Sequence, residues 1–394
     1  MVPRGLIFLL PVLAAPVYAA SLDAEIGKRL FERVWVSAPS STQSNDGLGP
    51  LYDAPSCASC HVQRPLTDLD ETTVPPGTVV RLGNAKGTGD YIYGRQIQTR
   101  ATAGHTPEAN PDIVWANWER GLRTATIRLF INYGPTAYDT NIALRRAPVL
   151  NGVALLAQIP ESEIVNRADP NDADGDGVKG RPSWLNVKDK QTLGRFGWKA
   201  TEPDVPSQVA TAFSLDIGMS TSLRAQPWGD CTEVQYECRN GPHGAKNGDA
   251  EIPDAILHTI VDYLASLPAP AGKPIPVIGA GLFDAVGCVT CHTNLNLADG
   301  TPVPAHTDLL LHYMGENLND GIKEGAAEAG FWRTAPLWNV AKSLEIGGLL
   351  HDGRARSIEE AIEWHDGEGA AARTRFRALT PQDRAALAAY VRGL

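Results

Sequence analysis

Cys57-Ala58-Ser59-Cys60-His61 and Cys288-Val289-Thr290-Cys291-His292 repeat one pattern, CxxCH. Two thiols with two residues between them are spaced to add across the vinyl groups of a haem. The histidine that follows brings an imidazole under the iron. The pair reads as two covalent c-type haems, held by Cys57 and Cys60 and by Cys288 and Cys291, with His61 and His292 as proximal iron ligands. A thioredoxin-like dithiol or half of a zinc site also uses CxxC, but neither needs the trailing histidine.

A haem iron has a sixth position, and its occupant separates catalysis from electron relay. Of nine histidines, His365 is the strongest candidate. Ser357-Ile358-Glu359-Glu360 is a capping box that opens a helix. On it Ile358, Ala361, Ile362 and His365 share one face, which turns the imidazole inward. A hydrogen-bonded core histidine is the ordinary alternative. Met314, His351 and His306 compete for the same iron, although methionine is more often core filler. For the first haem, His105 is the candidate, in a loop that equally suits a surface histidine.

Asp172, Asp174 and Asp176 alternate before Gly177, a spacing that aims hard oxygen ligands at one point and suits calcium. Ser183 stands where an EF-hand needs glutamate, and an acidic surface turn is the plain alternative. The two cysteines left over, Cys231 and Cys238, are close enough for a loop-closing disulfide in an oxidising compartment.

Elements that position these groups are legible as helical periodicities. Leu22, Ile26, Leu30 and Val34 recur at helical spacing ahead of the first motif. Leu257, Ile260, Val261, Leu264 and Leu267 form a later stripe. Thr380-Pro381 starts a helix carrying Leu387, Tyr390, Val391 and Leu394. A Gly-x-x-Leu-Phe pattern at Gly27 returns at Gly279, so the order helix, CxxCH, long middle and closing helix occurs twice. The chain of 394 residues then divides into a leader over 1–19, a first haem domain over 20–270 with insertions, and a second over 271–394. The Pro- and Gly-rich stretch 269–276 is the linker. The fold class is mainly α: two cytochrome c-like haem domains with long loop insertions and a few short strands, among them strands or a hairpin over 79–111.

The leader has Arg4, an apolar run and Val17-Tyr18-Ala19, the form of a secretory signal cleaved after Ala19. The apolar run is too short to span a bilayer, and no other segment does better. An exported, periplasmic protein follows, in keeping with haem attachment outside the cytoplasm. A net charge of −10 argues against nucleic acid as a partner.

The chain resembles the bacterial di-haem oxidoreductases related to di-haem cytochrome c peroxidase, including members labelled thiol oxidoreductase. Beyond the CxxCH motifs, the matching stretches are 146–160, 193–199, 333–338 and 350–360. The resemblance implies cytochrome c-like domains with calcium between them. It implies hydrogen peroxide, or less readily dioxygen, as oxidant, and a redox protein as electron donor or acceptor. It also implies that Trp198 is an electron conduit between the haems and that Gln208 orients peroxide. Gly218 stands where those peroxidases carry an acid, which leaves Asp216 as the substitute. Where they place methionine on the second haem, this chain has His365. A plain electron-transfer cytochrome and an oxygen-using oxidase are the alternatives.

Overall fold

The computed structural model describes residues 22–42, 45–62, 75–245, 248–270 and 277–394. The leader expected over 1–19 lies outside the described residues, as does most of the linker expected over 269–276.

Two helix crossings organise the described chain. Helix Leu22–Glu32 packs on helix Asp254–Ser266, and helix Val277–Val286 packs on helix Pro381–Gly393. Each crossing is made at a glycine. A Cβ on Gly27 would run into Thr259 O and Tyr263 Cβ, and one on Gly279 into Tyr390 Cβ and Ala386 O. Beside each glycine an aromatic pair meets at the same tilt: Phe31 and Tyr263 at 5.3 Å and 57°, Phe283 and Tyr390 at 5.4 Å and 54°. The Gly-x-x-Leu-Phe repeat is thus a repeated contact. The stripe expected on the first helix is corrected, because Leu22 and Ile26 are exposed and Val34 lies exposed beyond the helix end. The buried face is Ala24, Gly27, Leu30 and Phe31. A helix that approaches its partner through glycine must bury the small-residue side, and this rotates larger residues outward. Leu257, Ile260 and Leu264 are buried as their periodicity predicts, and Thr380 caps its helix by accepting from Asp383 N–H.

The larger core joins Leu30, Phe31, Leu257 and Ile260 to Leu295, Val303, Leu309 and Trp338. Packing is therefore continuous across position 270. A second core gathers Phe283, Val340, Ile358, Phe376, Leu387 and Val391.

Strands contribute more than a few short pieces: 21% of the structure against 32% helix. Thr78–Gly83 pairs antiparallel with Asn141–Arg146, and Ala109–Asn117 pairs residue for residue with Arg123–Ile131. The second hairpin runs well past the 79–111 stretch in which strands were expected. Ala125, Ile127, Leu129 and Ile131 alternate with the outward Thr126, Arg128 and Phe130, which fits a pleated surface with one sheltered face. At the root of that turn Arg123 N–H donates to Glu360 Oε1 at 3.0 Å, and Arg123 Nη2 to Gly353 O at 3.1 Å. The hairpin is thereby anchored on helix Ile358–Glu363. Cys231 and Cys238 are disulfide-bonded.

Gly279→Ala should lower the unfolding free energy by about 1–3 kcal/mol through overpacking. Gly281→Ala, in the same helix with open space at its Cβ, should be neutral or stabilising by up to about 1 kcal/mol. Urea titrations of both variants check the contrast.

Candidate functional site

One cavity of about 690 Å³ takes its lining from both CxxCH motifs and from Trp198, Gln208, Asp216 and His365. Local chain chemistry sets the first motif. Ser56 caps the short helix Cys57–Cys60 by accepting from Ser59 N–H, and His61 N–H closes the turn on Cys57 O at 2.9 Å. The His61 ring is held by Nδ1–H donating to Pro148 O at 2.9 Å. A carbonyl accepts only, so the proton is on Nδ1 and the Nε2 lone pair is free to ligate.

The second motif repeats this device. His292 Nδ1–H donates to His306 O at 3.0 Å, and His365 Nδ1–H donates to Ala361 O at 2.7 Å. Both rings keep a free Nε2. Their centres are 6.5 Å apart, which leaves room for one metal atom between two nitrogen bonds of about 2 Å each. Burial lowers the pKa of His61 and His365 and takes His292 down to about 4, so all three are neutral ligands at ordinary pH.

The expected placement of His365 needs one correction. Its helix ends at Glu363, and His365 lies in the turn beyond it, closed by His365 N–H on Ile362 O at 3.0 Å. Ser357 caps that helix by accepting from Glu360 N–H. The Glu360 carboxylate turns instead to the N–H groups of Arg123 and Arg356. Met314 lines the same cavity, but the ring facing His292 is that of His365. His306 serves through its carbonyl. His351 is buried and stacked on Trp332 at 3.7 Å; burial, then the cations Arg145, Arg354 and Lys199, hold its pKa well below that of a free histidine. His105 is outside the cavity lining and meets Thr102 Oγ1 at 3.3 Å.

Burial pushes the Cys57 and Cys288 thiols up to about 12 and also raises Cys60 and Cys291. A redox dithiol needs the opposite shift. Among the described residues, the groups able to gather around a metal ion do not pair the two cysteines of either motif. Both alternatives to haem are thereby weakened, and four free cysteines in two pairs on one large cavity fit two porphyrins.

Trp198 lines the space shared by both motifs, and its Nε1–H donates to Arg146 O at 2.8 Å. Arg146 is two residues from the carbonyl that orients His61. Gln208, on helix Val205–Ala212, has a buried Oε1 with no hydrogen-bond partner among the described residues. Asp216 lies on a π-helical turn, Phe213–Ile217, and accepts from Gln96 Nε2 at 2.8 Å. Such turns insert an extra residue and re-aim side chains, often at functional sites. At Gly218, which closes the turn with φ +72°, a Cβ would meet Leu51 O at 2.7 Å and Gly49 Cα at 3.0 Å. No acid fits there.

The acidic loop gathers Asp169, Asp172 and Asp174, with ligand oxygens within 4.8 Å of one another. Asp176 is outside that group, and its Oδ1 accepts from Val178 N–H at 2.7 Å. Sequence spacing missed Asp169 because it precedes the alternating run. Sequence reading also missed Asp53 and Gln96, which bond to the Asp216 side of the cavity, and His312. The His312 ring donates to Asp308 Oδ2 at 2.9 Å and Glu368 Oε2 at 2.7 Å, and its Nδ1 lies 3.7 Å from Cys291 Sγ. No local pattern marks these residues; only the 146–148 stretch, which supplies the Pro148 carbonyl, carried a signal.

A family model described as "Di-haem oxidoreductase, putative peroxidase" matches residues 136–394. No curated protein matches the chain. Among solved structures, the diheme peroxidase BthA from Burkholderia thailandensis is similar over 97% of this chain and 87% of that chain, at 15% identity and a TM-score of 0.43. A variant of BthA is similar over 94% and 85%, at 15% identity and 0.44. Hydrazine synthase from Kuenenia stuttgartiensis is similar over 37% of this chain at 17% identity and 0.28, and the match spans 57% of that chain's length.

Gln208→Leu removes an acceptor that has no protein partner and conserves volume. Chemical denaturation should show stability unchanged or raised by about 1 kcal/mol. A loss above that would mean the oxygen is bonded within the folded chain.

Proposed function

The chain belongs to the di-haem oxidoreductase family, and from that premise we propose an exported, peroxidase-like enzyme in which the first motif's haem meets peroxide and the second motif's haem passes electrons. When bound, each haem iron supplies a one-electron centre, and an open sixth position allows peroxide to be activated. His61 and His292 would hold the irons, with thioether bonds to Cys57, Cys60, Cys288 and Cys291. His365 would complete the second.

The carrying observation is the asymmetry between the two histidines. His292 faces a second neutral imidazole at 6.5 Å. The ring that His61 meets among the described residues is Phe31, at 6.1 Å. The cavity around the first motif offers instead an unpartnered amide oxygen on Gln208 and a carboxyl on Asp216. Gln208 Oε1 can accept a hydrogen bond from peroxide and fix its orientation. Asp216 can move a proton to or from the oxygen beside it. Trp198, bonded to the carbonyl of Arg146, lines the cavity that both motifs share, and its indole would conduct electrons between the haems.

The repeated glycine crossing supports two cytochrome c-like units, over 20–270 and 271–394. Calcium in this scheme is held by Asp169, Asp172 and Asp174. Export follows from the leader at 1–19. Among the described residues, no helix is long and apolar enough to cross a membrane. The electron donor is a redox protein.

Mixing the oxidised holoprotein with hydrogen peroxide should change the absorption of one haem rapidly and leave the other low-spin, after reductive activation if the resting enzyme requires it. Two low-spin haems indifferent to peroxide in both states would make the protein an electron-transfer cytochrome. His365→Ala should abolish the bis-histidine low-spin electron paramagnetic resonance signal, and its survival would move the ligand to another histidine such as His351. Intact mass should exceed that of the processed chain by two haems, and Cys288→Ala with Cys291→Ala should remove one.

A further inference from the structure

Two buried carboxyl groups beside the first motif share one amide. Gln96 Nε2 donates to Asp53 Oδ2 and to Asp216 Oδ1, each at 2.8 Å. Gln96 Oε1 accepts from Arg81 Nη1 at 3.2 Å, which fixes the amide with its NH₂ toward the carboxyls. The backbone locks the pair further. Asp53 and Ala54 N–H donate to Asp216 O at 2.9 and 3.0 Å, and Asp53 Oδ1 accepts from Thr99 N–H at 3.1 Å and Thr99 Oγ1–H at 2.7 Å.

Few cations act on the pair. A further buried acid, Glu108, feels the charge of Asp53, and Asp230, which accepts from Gln96 N–H at 3.1 Å, is paired with Arg95. From the strand side Arg81 acts on Asp216, but its guanidinium is engaged by Glu324 Oε2 at 3.0 Å. From the motif side come Cys57 and Cys60, neutral thiols here and thioethers once haem is attached. Among the described residues, neither carboxyl has a bonded cation. Two like charges bridged only by a neutral amide and removed from water repel each other and lose hydration, so one of them keeps its proton.

We propose that Asp53 and Asp216 hold a single proton between them at neutral pH and that Asp216 delivers it into the cavity. Asp53 is a positioning residue, since Asp216 and Gln96 line the cavity and Asp53 does not. Burial first, then the charge of Asp216, pushes Asp53 up to about 7 against the bonds from Thr99 and Gln96, and burial also raises Asp216. The delivery half rests on the peroxide chemistry proposed above. There H₂O₂ + 2 H⁺ + 2 e⁻ gives 2 H₂O: the O–O bond breaks, both electrons come from the one-electron donor protein, one proton comes from Asp216 and one from solvent. The pair then recovers its proton from solvent. Asp216 thereby supplies the acid that position 218 has no room for.

Infrared spectra of the holoprotein in H₂O and D₂O test the shared proton. A protonated carboxyl band is expected at neutral pH, shifted in D₂O, titrating with a midpoint close to 7, lost in Asp53→Asn and displaced to lower pH in Asp216→Asn, where the like charge is gone. Absence of the band from the wild-type protein at neutral pH overturns the proposal without any variant. So does a band unchanged in both Asp53→Asn and Asp216→Asn. Stopped-flow mixing with peroxide should be about tenfold slower at neutral pH in Asp53→Asn, with the pH dependence flattened and the resting haem spectrum unchanged. A titrating band that is lost in Asp53→Asn, with no peroxide reaction at any pH, overturns the peroxide chemistry while establishing the shared proton.

Discussion

Close approach of helices at Gly27 and Gly279 is the contact on which the rest depends. Each glycine lets a helix ahead of a haem motif touch a helix far downstream, Asp254–Ser266 in one case and Pro381–Gly393 in the other. The downstream helix closes a loop of more than a hundred residues in both cases, and closing such loops costs entropy that a few exposed contacts cannot offset. Backbone-to-backbone packing reinforced by the Phe31–Tyr263 and Phe283–Tyr390 pairs supplies dense, dispersion-rich contact where it is most needed. The second motif begins two residues after its glycine helix. The first, three short strands beyond its own, is still met by that helix through Phe31, whose ring lies 6.1 Å from that of His61. Each crossing thus bears on where the thiols and the imidazole emerge into the cavity.

From there, backbone carbonyls do the fine positioning. Pro148 O, His306 O and Ala361 O each take an Nδ1 proton and so fix both ring angle and tautomer. Backbone is a stiffer acceptor than a side chain, and it cannot be protonated. The choice fixes the tautomer that leaves Nε2 free, and burial, which lowers the pKa of all three rings, keeps that nitrogen unprotonated at ordinary pH. Arg146 links two of these functions, since its carbonyl anchors Trp198 and its chain neighbour two residues on anchors His61. A shift in that segment would move the indole and the imidazole together.

Much of this was legible in residue types. CxxCH marks the cavity ends, and the Ser357 and Thr380 caps start helices where their side chains predict. Helical periodicity located the helix Leu22–Glu32 but misjudged its face, because hydrophobic size and burial part company wherever glycine makes the contact. His365 was found from a helical face although it lies just past the helix end, where the chain still follows the helical direction closely enough to aim the ring inward. Asp53, Gln96 and His312 stayed invisible. Their meaning comes from partners 163, 120 and 56 residues away, and sequence spacing carries information only within an element.

Charge around the cavity divides by side. Lys199 and Arg145 both bond to Asp320, while Arg145 and Arg81 reach Glu324, so this buried cluster is tightly paired. The cations hold the Glu324 carboxyl far below its ordinary range. Removing one partner from such a cluster leaves a charge stranded and is strongly destabilising. Asp53 and Asp216 lie one amide away from Arg81 yet touch no cation among the described residues. The contrast separates two uses of buried acid in one region of the fold. Paired carboxylates hold segments 81–145 and 320–324 together, and unpaired ones retain a proton that can be exchanged. A protein that needed only rigidity there would have matched these acids with cations as it matched Glu324.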